Sequence, residues 1–317
     1  MTEQAVSPAA RWPSAILVTG SSGYLGAALV ARLRRDGHRV IGIDPQPAST
    51  TDIVGSITDA ARVRETLRRH EIGAIAHTAA LHKPHIATHA VAEFEAVNVA
   101  GTRNLLEAAV EHGSLVDRFV FTSTTSLMIS AAIRAGRAGG RTRAAWIAED
   151  FAPLEPRNIY GVTKLAAEAT CRAFHAEHGL PLVMLRTSRF FPEEDDMAHA
   201  IVQSEPNTKA NEYLFRRVAL DDVVESHVVA LARAPALGLD MFVISARTPF
   251  VEADCEELIM DAPAVVARYY PHYAELYARR GWTMFASIDR VYVSARAERV
   301  LGFTPRIDFA AQLAALA

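Results

Sequence analysis

The stretch Ala15-Ile16-Leu17-Val18-Thr19-Gly20-Ser21-Ser22-Gly23-Tyr24-Leu25-Gly26 constrains the fold of this chain more than any other. Four apolar residues in a row predict a strand buried on both faces, as in a parallel sheet. Glycines then recur at every third position, and residues 24–35 carry apolar side chains at helical spacing. The order is therefore strand, tight turn, helix. Backbone N–H groups in such a turn come close to a phosphate, and the helix N-terminus that follows favours negative charge. Glycines also punctuate ordinary loops, so a βαβ unit holding no nucleotide is the competing reading. The next apolar run, His38-Arg39-Val40-Ile41-Gly42-Ile43-Asp44, ends in an acid 24 residues after Gly20. An acid there can accept hydrogen bonds from an adenosine ribose.

Further along, apolar runs and amphipathic stretches alternate. Short strands are predicted at 52–54, 73–77, 118–122 and 182–186, with helices at 59–70, 91–112 and 158–178 between them. Residues 130–143, rich in Gly and Arg, read as a loop or lid. After Arg186 the pattern loosens, then resumes with a helix at 222–233 and a strand at 241–245. Such alternation predicts an α/β fold, a doubly wound parallel sheet with a smaller lobe built from excursions late in the chain. A ligand belongs at the carboxyl ends of the strands, where their order reverses.

A formal charge of −3 gives no electrostatic case for nucleic acid or an anionic membrane surface. No apolar run is long enough to span a bilayer, and residues 1–11 read as a loose tail without signal-peptide character. Cys171 and Cys255 have no metal-ligand spacing and read as reduced thiols of a cytoplasmic protein.

The chemistry is most legible in Tyr160-Gly161-Val162-Thr163-Lys164. Tyrosine and lysine four apart on a helix share one face. A phenol with an ordinary pKa near ~10 is a poor base at neutral pH, and a nearby ammonium favours its phenolate. Tyr160 can then exchange a proton with an alcohol or ketone while hydride moves at the adjacent carbon. Taken alone, the pair also fits a solvated helix face. In Thr122-Ser123-Thr124-Thr125-Ser126 a hydroxyl can bond the reacting oxygen, or the run is a serine/threonine turn.

Together these segments resemble the extended short-chain dehydrogenase/reductase superfamily, and within it the NAD-dependent epimerase/dehydratase group. The resemblance also rests on His77-Thr78-Ala79-Ala80, Asn98-Val99-Ala100-Gly101-Thr102, Pro153-Leu154-Glu155-Pro156, Arg217-Val218-Ala219-Leu220-Asp221-Asp222-Val223 and Leu301-Gly302-Phe303-Thr304-Pro305. It implies a Rossmann-type domain over 12–186, completed by 218–245, and a C-terminal substrate-binding lobe from 187–217 and 246–317. It implies Thr124, Tyr160 and Lys164 as the catalytic set and NAD as cofactor. Gly20, Ser22, Gly23, Tyr24, Leu25 and Gly26 would hold the pyrophosphate turn, and Asp44 the ribose. Ser56, Ile57, Ala79, Ala80, Asn98 and Thr122, with Tyr160 and Lys164, would complete the cofactor site. Lys83, Thr124, Arg189 and Arg217 would meet a small-molecule substrate. A homodimer through the helices at 91–112 and 158–178 is implied as well.

The departures from the family pattern bear on substrate. Ser56-Ile57 replaces the usual acid-apolar pair beside adenine, Leu127-Met128-Ile129 replaces Val-Tyr-Gly, and Thr187-Ser188-Arg189 stands where nucleotide-sugar enzymes often carry an asparagine. The connection 191–216 offers no nucleotide-sugar clamp beyond Arg216-Arg217, and its run Glu193-Glu194-Asp195-Asp196 would repel a diphosphate unless it points into solvent. His82, Lys83, His85 and His89 rim the expected site as substrate contacts or plain surface; no metal is expected, since no carboxylate or cysteine shares their spacing. Arg134, Arg137, Arg141 and Arg143 read equally as an anion site or a solvated lid. The sequence therefore predicts an NAD-dependent oxidoreductase acting on a sugar-like secondary alcohol or ketone. The alternatives are a UDP-sugar 4-epimerase and a non-catalytic NAD-binding regulator.

Overall fold

The computed structural model describes residues 12–191 and 203–316. The expectations for residues 1–11 and for the acidic run at 193–196 fall outside the described residues. In chain order the elements are β1 (Ile16–Thr19), α1 (Tyr24–Arg35), β2 (Val40–Asp44), β3 (Ile53–Val54), α2 (Ala60–His70), β4 (Ala74–His77), α3 (Val91–Phe94), α4 (Gly101–Glu111) and β5 (Arg118–Thr124). Then come α5 (Ala131–Ala135), β6 (Ala145–Ile147), α6 (Ile159–His178), β7 (Leu182–Thr187), α7 (Glu205–Glu212), α8 (Leu220–Leu237) and β8 (Leu239–Ile244). The chain closes with α9 (Cys255–Met260), α10 (Ala262–Tyr269), α11 (Tyr273–Ala278), β9 (Arg290–Tyr292) and α12 (Phe309–Ala314).

Seven strands form one sheet in the order β3-β2-β1-β4-β5-β7-β8. β1 pairs in parallel with both β2 and β4, with Thr19 opposite Ile43 on one side and His77 on the other. The strand order reverses there, so the carboxyl ends of β1 and β4 flank the crevice where such sheets bind ligands. The continuous apolar runs are explained by two-sided burial. Leu17, Ile75, Phe119 and Met184 pack with Val63 and Leu67 of α2, Leu105 and Leu106 of α4, and Ala167 of α6. The intervening residues Ile16, Val18, Ala74, Ala76, Val120 and Val183 are buried too. This is the doubly wound Rossmann-type sheet.

By internal packing the chain divides into two units. The first holds Met1–Ser123, Ile159–Leu185 and Val224–Met241; the second holds Thr124–Asn158, Arg186–Val223 and Phe242–Ala317. The second has its own apolar core, including Leu214, Phe215, Leu258, Val265, Val266, Tyr277 and Phe309. It also contains a two-stranded parallel pair, β6 with β9, in which Trp146 lies opposite Val291. A polar staple ties its segments: the Thr283 carbonyl accepts from the side-chain amides of Gln203, Asn207 and Asn211 at 2.9–3.0 Å.

Two local expectations change. The helix expected over 91–112 is interrupted at Glu95–Ala100, which is wound as a π-helix. The Gly/Arg-rich stretch expected as a loop or lid is not an irregular loop but mostly helical, with α5 followed by a 3-10 turn at Gly136–Gly139. Ser130 starts it, its hydroxyl accepting from the Ile133 N–H at 3.2 Å in a helix N-cap. No described helix is long and apolar enough to cross a membrane.

Candidate nucleotide and proton-transfer site

The glycine turn is built for close backbone approach. Gly20 has φ +70°, and a Cβ there would stand 2.7 Å from the Cα of Ala79, just beyond the end of β4. A Cβ on Gly26 would stand 2.0 Å from the Gly20 carbonyl oxygen, so any side chain would break the turn or the packing of α1 on it. Gly23 precedes α1, and its N–H donates to the Gly20 carbonyl at 3.0 Å. Such a turn at a helix N-terminus fits a pyrophosphate. Leu25 is buried in the first turn of α1, whereas Tyr24 is largely exposed.

Asp44 ends β2 beside this turn. One carboxylate oxygen accepts from the Ser22 N–H at 3.3 Å and the other from the Gln46 N–H at 2.8 Å. Arg34, on α1, donates to Asp52 at 2.6 Å and to the carbonyls of Ser49 and Val40. Ser21 and Thr51 share a 2.8 Å hydroxyl contact, and Thr50 donates to the Ser21 carbonyl at 2.7 Å. These bonds clasp the loop after β2 to the glycine turn. The Ser56 hydroxyl bonds with that of Thr58 at 2.8 Å, and Ile57 is buried where a Cβ on Gly101 would stand 2.6 Å from it.

The chain leaving β4 is held from three sides. The Thr78 hydroxyl donates to the Thr19 carbonyl at 2.6 Å, and the Ala79 N–H donates to the Thr19 hydroxyl at 3.2 Å. Ala80 follows in a half-buried strip. Asn98 clamps Leu81, accepting from its N–H at 2.8 Å and donating to its carbonyl at 2.9 Å. The same amide donates to Thr163 of α6 at 3.0 Å. Asn98 thus joins the Ala79-Ala80 strip to the helix carrying Tyr160, and it does so from the π-helical segment, a distortion often found at functional sites. His77, fully buried, meets the Thr19 and Thr102 hydroxyls at 2.8 and 2.9 Å. Burial, reinforced by Lys164, lowers its pKa well below the ordinary value, so the ring is neutral.

On α6, Tyr160 is half-buried and Lys164 is only 3% exposed. The Lys164 ammonium lies 4.1 Å from the centre of the Phe121 ring. Burial lowers its pKa to about 8. A desolvated cation one turn from a phenol is the arrangement that favours phenolate.

The hydroxyls of the run after Phe121 go to separate tasks. Thr122 meets His227 Nε2 at 2.8 Å, and Ser123 donates to Glu168 at 2.6 Å. In the second unit, the Thr124 hydroxyl accepts from the Ser126 N–H at 3.1 Å, and Thr125 donates to the Thr187 carbonyl at 3.3 Å. The serine/threonine turn is therefore present, formed by Thr124.

Lys83 opens a 3-10 turn, Lys83–Ala87, in the loop after β4. His82 and His85 pack edge-on with ring centres 4.6 Å apart, and His85 and His89 with centres 5.1 Å apart. Burial, with His85 adding to it, lowers the pKa of His82 to about 4. Among the described residues, no three metal-ligating side chains are arranged to hold an ion.

Arg189 and Arg217, in the second unit, converge on an acid that the sequence reading missed. Glu212 is completely buried, taking Arg216 on one oxygen at 2.8 Å and Arg217 on the other at 2.7 Å, with Arg189 at 3.6 Å. Its signal was the four-residue spacing to Arg216, which looks like an ordinary surface helix pair. Glu168 was missed similarly, although it repeats the Tyr160–Lys164 spacing once more.

Residues 16–236 match the model of the NAD dependent epimerase/dehydratase family. A 3-beta-hydroxysteroid dehydrogenase of Mycolicibacterium neoaurum is 29% identical over 237 residues, covering 71% of this chain and 56% of the relative. An L-arabinose 1-dehydrogenase (NAD(P)(+)) of Haloferax volcanii is 31% identical, covering 54% of this chain and 65% of the relative. A UDP-glucose 4-epimerase of Azospirillum brasilense is 30% identical, covering 54% and 47%. The matches thus span less than two thirds of each of these relatives. Among solved structures, a short-chain dehydrogenase/reductase superfamily protein from Agrobacterium tumefaciens with bound NAD aligns over 95% of both chains, with TM-score 0.65 and 23% identity. A UDP-glucose 4-epimerase from Thermotoga maritima with UDP-glucose aligns over 94% of this chain and 96% of its own, with TM-score 0.64 and 19% identity. These two show a shared fold.

Proposed function

Because the chain belongs to the NAD-dependent epimerase/dehydratase family, we propose that it is an NAD-dependent oxidoreductase acting on a secondary alcohol or ketone of a sugar or sugar-like substrate. The observation that carries this is the buried Lys164 ammonium one turn along α6 from Tyr160. NAD, when bound, supplies the hydride acceptor or donor. Gly20, Gly23 and Gly26 let the backbone close on its pyrophosphate, and Asp44 accepts from its adenosine ribose. Tyr160 takes the proton from the substrate hydroxyl or returns it to a ketone. Lys164 stabilises the phenolate that this requires, and the Thr124 hydroxyl bonds the reacting oxygen.

The buried pairing of Arg216 and Arg217 with Glu212 supports a substrate smaller than a nucleotide sugar. A nucleotide-sugar epimerase needs a diphosphate anchor remote from the reacting carbon, and the guanidiniums that sequence offers for it already hold a carboxylate. The same reading includes a homodimer, for which the exposed Val91 and Val162 offer apolar surface. It also includes a cytoplasmic location, consistent with the free thiols Cys171 and Cys255. The test is a screen of free sugars, sugar acids and UDP-sugars with excess NAD, following both nicotinamide reduction and product stereochemistry. Stoichiometric NADH with a free sugar or sugar acid supports the dehydrogenase. Interconversion of UDP-sugars without net NADH would establish the epimerase instead. NAD binding with no turnover of any sugar would favour a regulator.

A further inference from the structure

Tyr160, Lys164 and Glu168 recur every four residues along α6 and so rise one above another on one face. Lys164 and Glu168 are both buried, at 3% and 1% exposure. Among the described residues, and besides Tyr160, the other ionisable groups that bear on the lysine are Cys171 on the same helix and His77 on β4. Neither of those carries charge at neutral pH. Burial holds the His77 ring neutral and pushes the Cys171 thiol far above its ordinary range. Glu168 is the remaining acidic neighbour, and its charge favours the ammonium. Its carboxylate is fixed in turn by the Ser123 hydroxyl, which donates to it at 2.6 Å from the end of β5. The Phe121 ring, two residues earlier on that strand, supports the ammonium at 4.1 Å.

We propose that Glu168, pinned by Ser123, is a positioning residue that keeps the Lys164 ammonium charged and in place one helical turn from Tyr160. This rests on the reading of Tyr160 and Lys164 as the proton-transfer pair. A buried ammonium without an acidic partner loses its proton more readily. Neutral Lys164 would no longer favour the phenolate, so the alkaline limit of turnover is set through Glu168.

The chain has three lysines, Lys83, Lys164 and Lys209, so a pH titration of the full-length protein with 13Cε-labelled lysine, followed by NMR, yields three assignable signals. The Lys164 signal should titrate near its value of about 8. In Glu168→Gln its midpoint should fall by about one pH unit or more, the usual effect of losing an opposite charge at close range, with Lys83 and Lys209 unmoved. Ser123→Ala should lower it less, in the same direction, and Cys171→Ala should leave it in place. An unmoved midpoint in Glu168→Gln, or a larger fall in Cys171→Ala, overturns the proposal. Should Glu168→Gln not fold, an unmoved midpoint in Ser123→Ala overturns it equally. The alkaline limb of NAD-linked turnover should move down with the lysine midpoint, and a limb that stays put would contradict the functional part. None of the lysine titrations depends on turnover. Normal turnover by Tyr160→Phe would instead refute the Tyr160–Lys164 reading while leaving the measured Glu168–Lys164 coupling intact.

Discussion

Asn98 grips Leu81 by both backbone groups, accepting from its N–H at 2.8 Å and donating to its carbonyl at 2.9 Å. The clamp fixes the chain just beyond Ala79 and Ala80, and a third bond, to Thr163, ties it to α6. One amide thus spans the strip along the proposed cofactor site and the helix bearing Tyr160. Replacing Asn98 by alanine strands the half-buried Leu81 groups, at a cost of about 1–3 kcal/mol. The expected outcome is a lower thermal midpoint together with weaker NAD binding by isothermal titration. Loss of stability with unchanged NAD affinity would show that the clamp does not shape the nucleotide site.

The glycine turn predicts a steric result. Gly26→Ala puts a Cβ 2.0 Å from the Gly20 carbonyl oxygen, a contact that only backbone movement relieves. Such overpacking costs about 1–3 kcal/mol, and the movement displaces the N–H groups proposed to hold the pyrophosphate. NAD affinity should collapse while the far-ultraviolet circular dichroism remains that of the folded chain. Wild-type affinity in this variant would contradict the site.

Asp44 predicts cofactor choice. With Asp44 at the ribose as proposed, a 2′-phosphate would meet its carboxylate, while Arg34, on α1, is held by Asp52 and two carbonyls. NAD should therefore bind more tightly than NADP by about tenfold or more, since charges a few ångströms apart repel by a few kcal/mol. Asp44→Ala should narrow the gap. Competitive titration with the two nucleotides checks both statements, and tighter NADP binding in the unmodified protein would sink the assignment.

The sheet and its tight glycine turn were legible because each rests on local signals. Leu17 and Ile75 sit in unbroken apolar runs, as two-sided burial demands, and Gly20 and Gly26 occupy positions where a Cβ has no room. That Tyr160 and Lys164 lie one turn apart on a single helix was legible through their spacing. The rest depends on pairings distant in sequence. β6 and β9 are three residues each, and Trp146 meets Val291 across much of the chain, so neither strand shows a period of its own. Ser130 concealed the start of α5, because glycines and arginines dilute the helical pattern that its cap initiates. Glu212 shows in the sequence only a four-residue spacing to Arg216, which marks many surface helix pairs; only the fold shows it buried with Arg217 and Arg189 as well.

That cluster predicts an acid-dependent stability. Burial pushes the Glu212 carboxyl up, and Arg216, Arg217 and Arg189 together push it down further, leaving it below its ordinary value. A carboxyl lowered in the folded state contributes stability above its unfolded pKa and loses it as pH falls through the folded one. Glu212→Gln should cost about 3–5 kcal/mol at neutral pH, the usual effect of removing one partner from a buried ion pair. Urea unfolding of both proteins from neutral pH downward should show the gap closing below the ordinary carboxylate range. A gap that stays constant with pH would mean that the carboxylate charge is not what stabilises this unit.

The proton relay itself is tested most directly by Tyr160→Phe, assayed on the substrate that the sugar screen identifies. The change removes one hydroxyl from a half-buried ring and leaves Lys164, Asp44 and the glycine turn in place. NAD should bind with unchanged affinity, while turnover falls by about two to four orders of magnitude, the scale of a positioned general acid–base. Turnover within about tenfold of the unmodified protein, well short of that scale, would mean that the substrate proton does not pass through Tyr160.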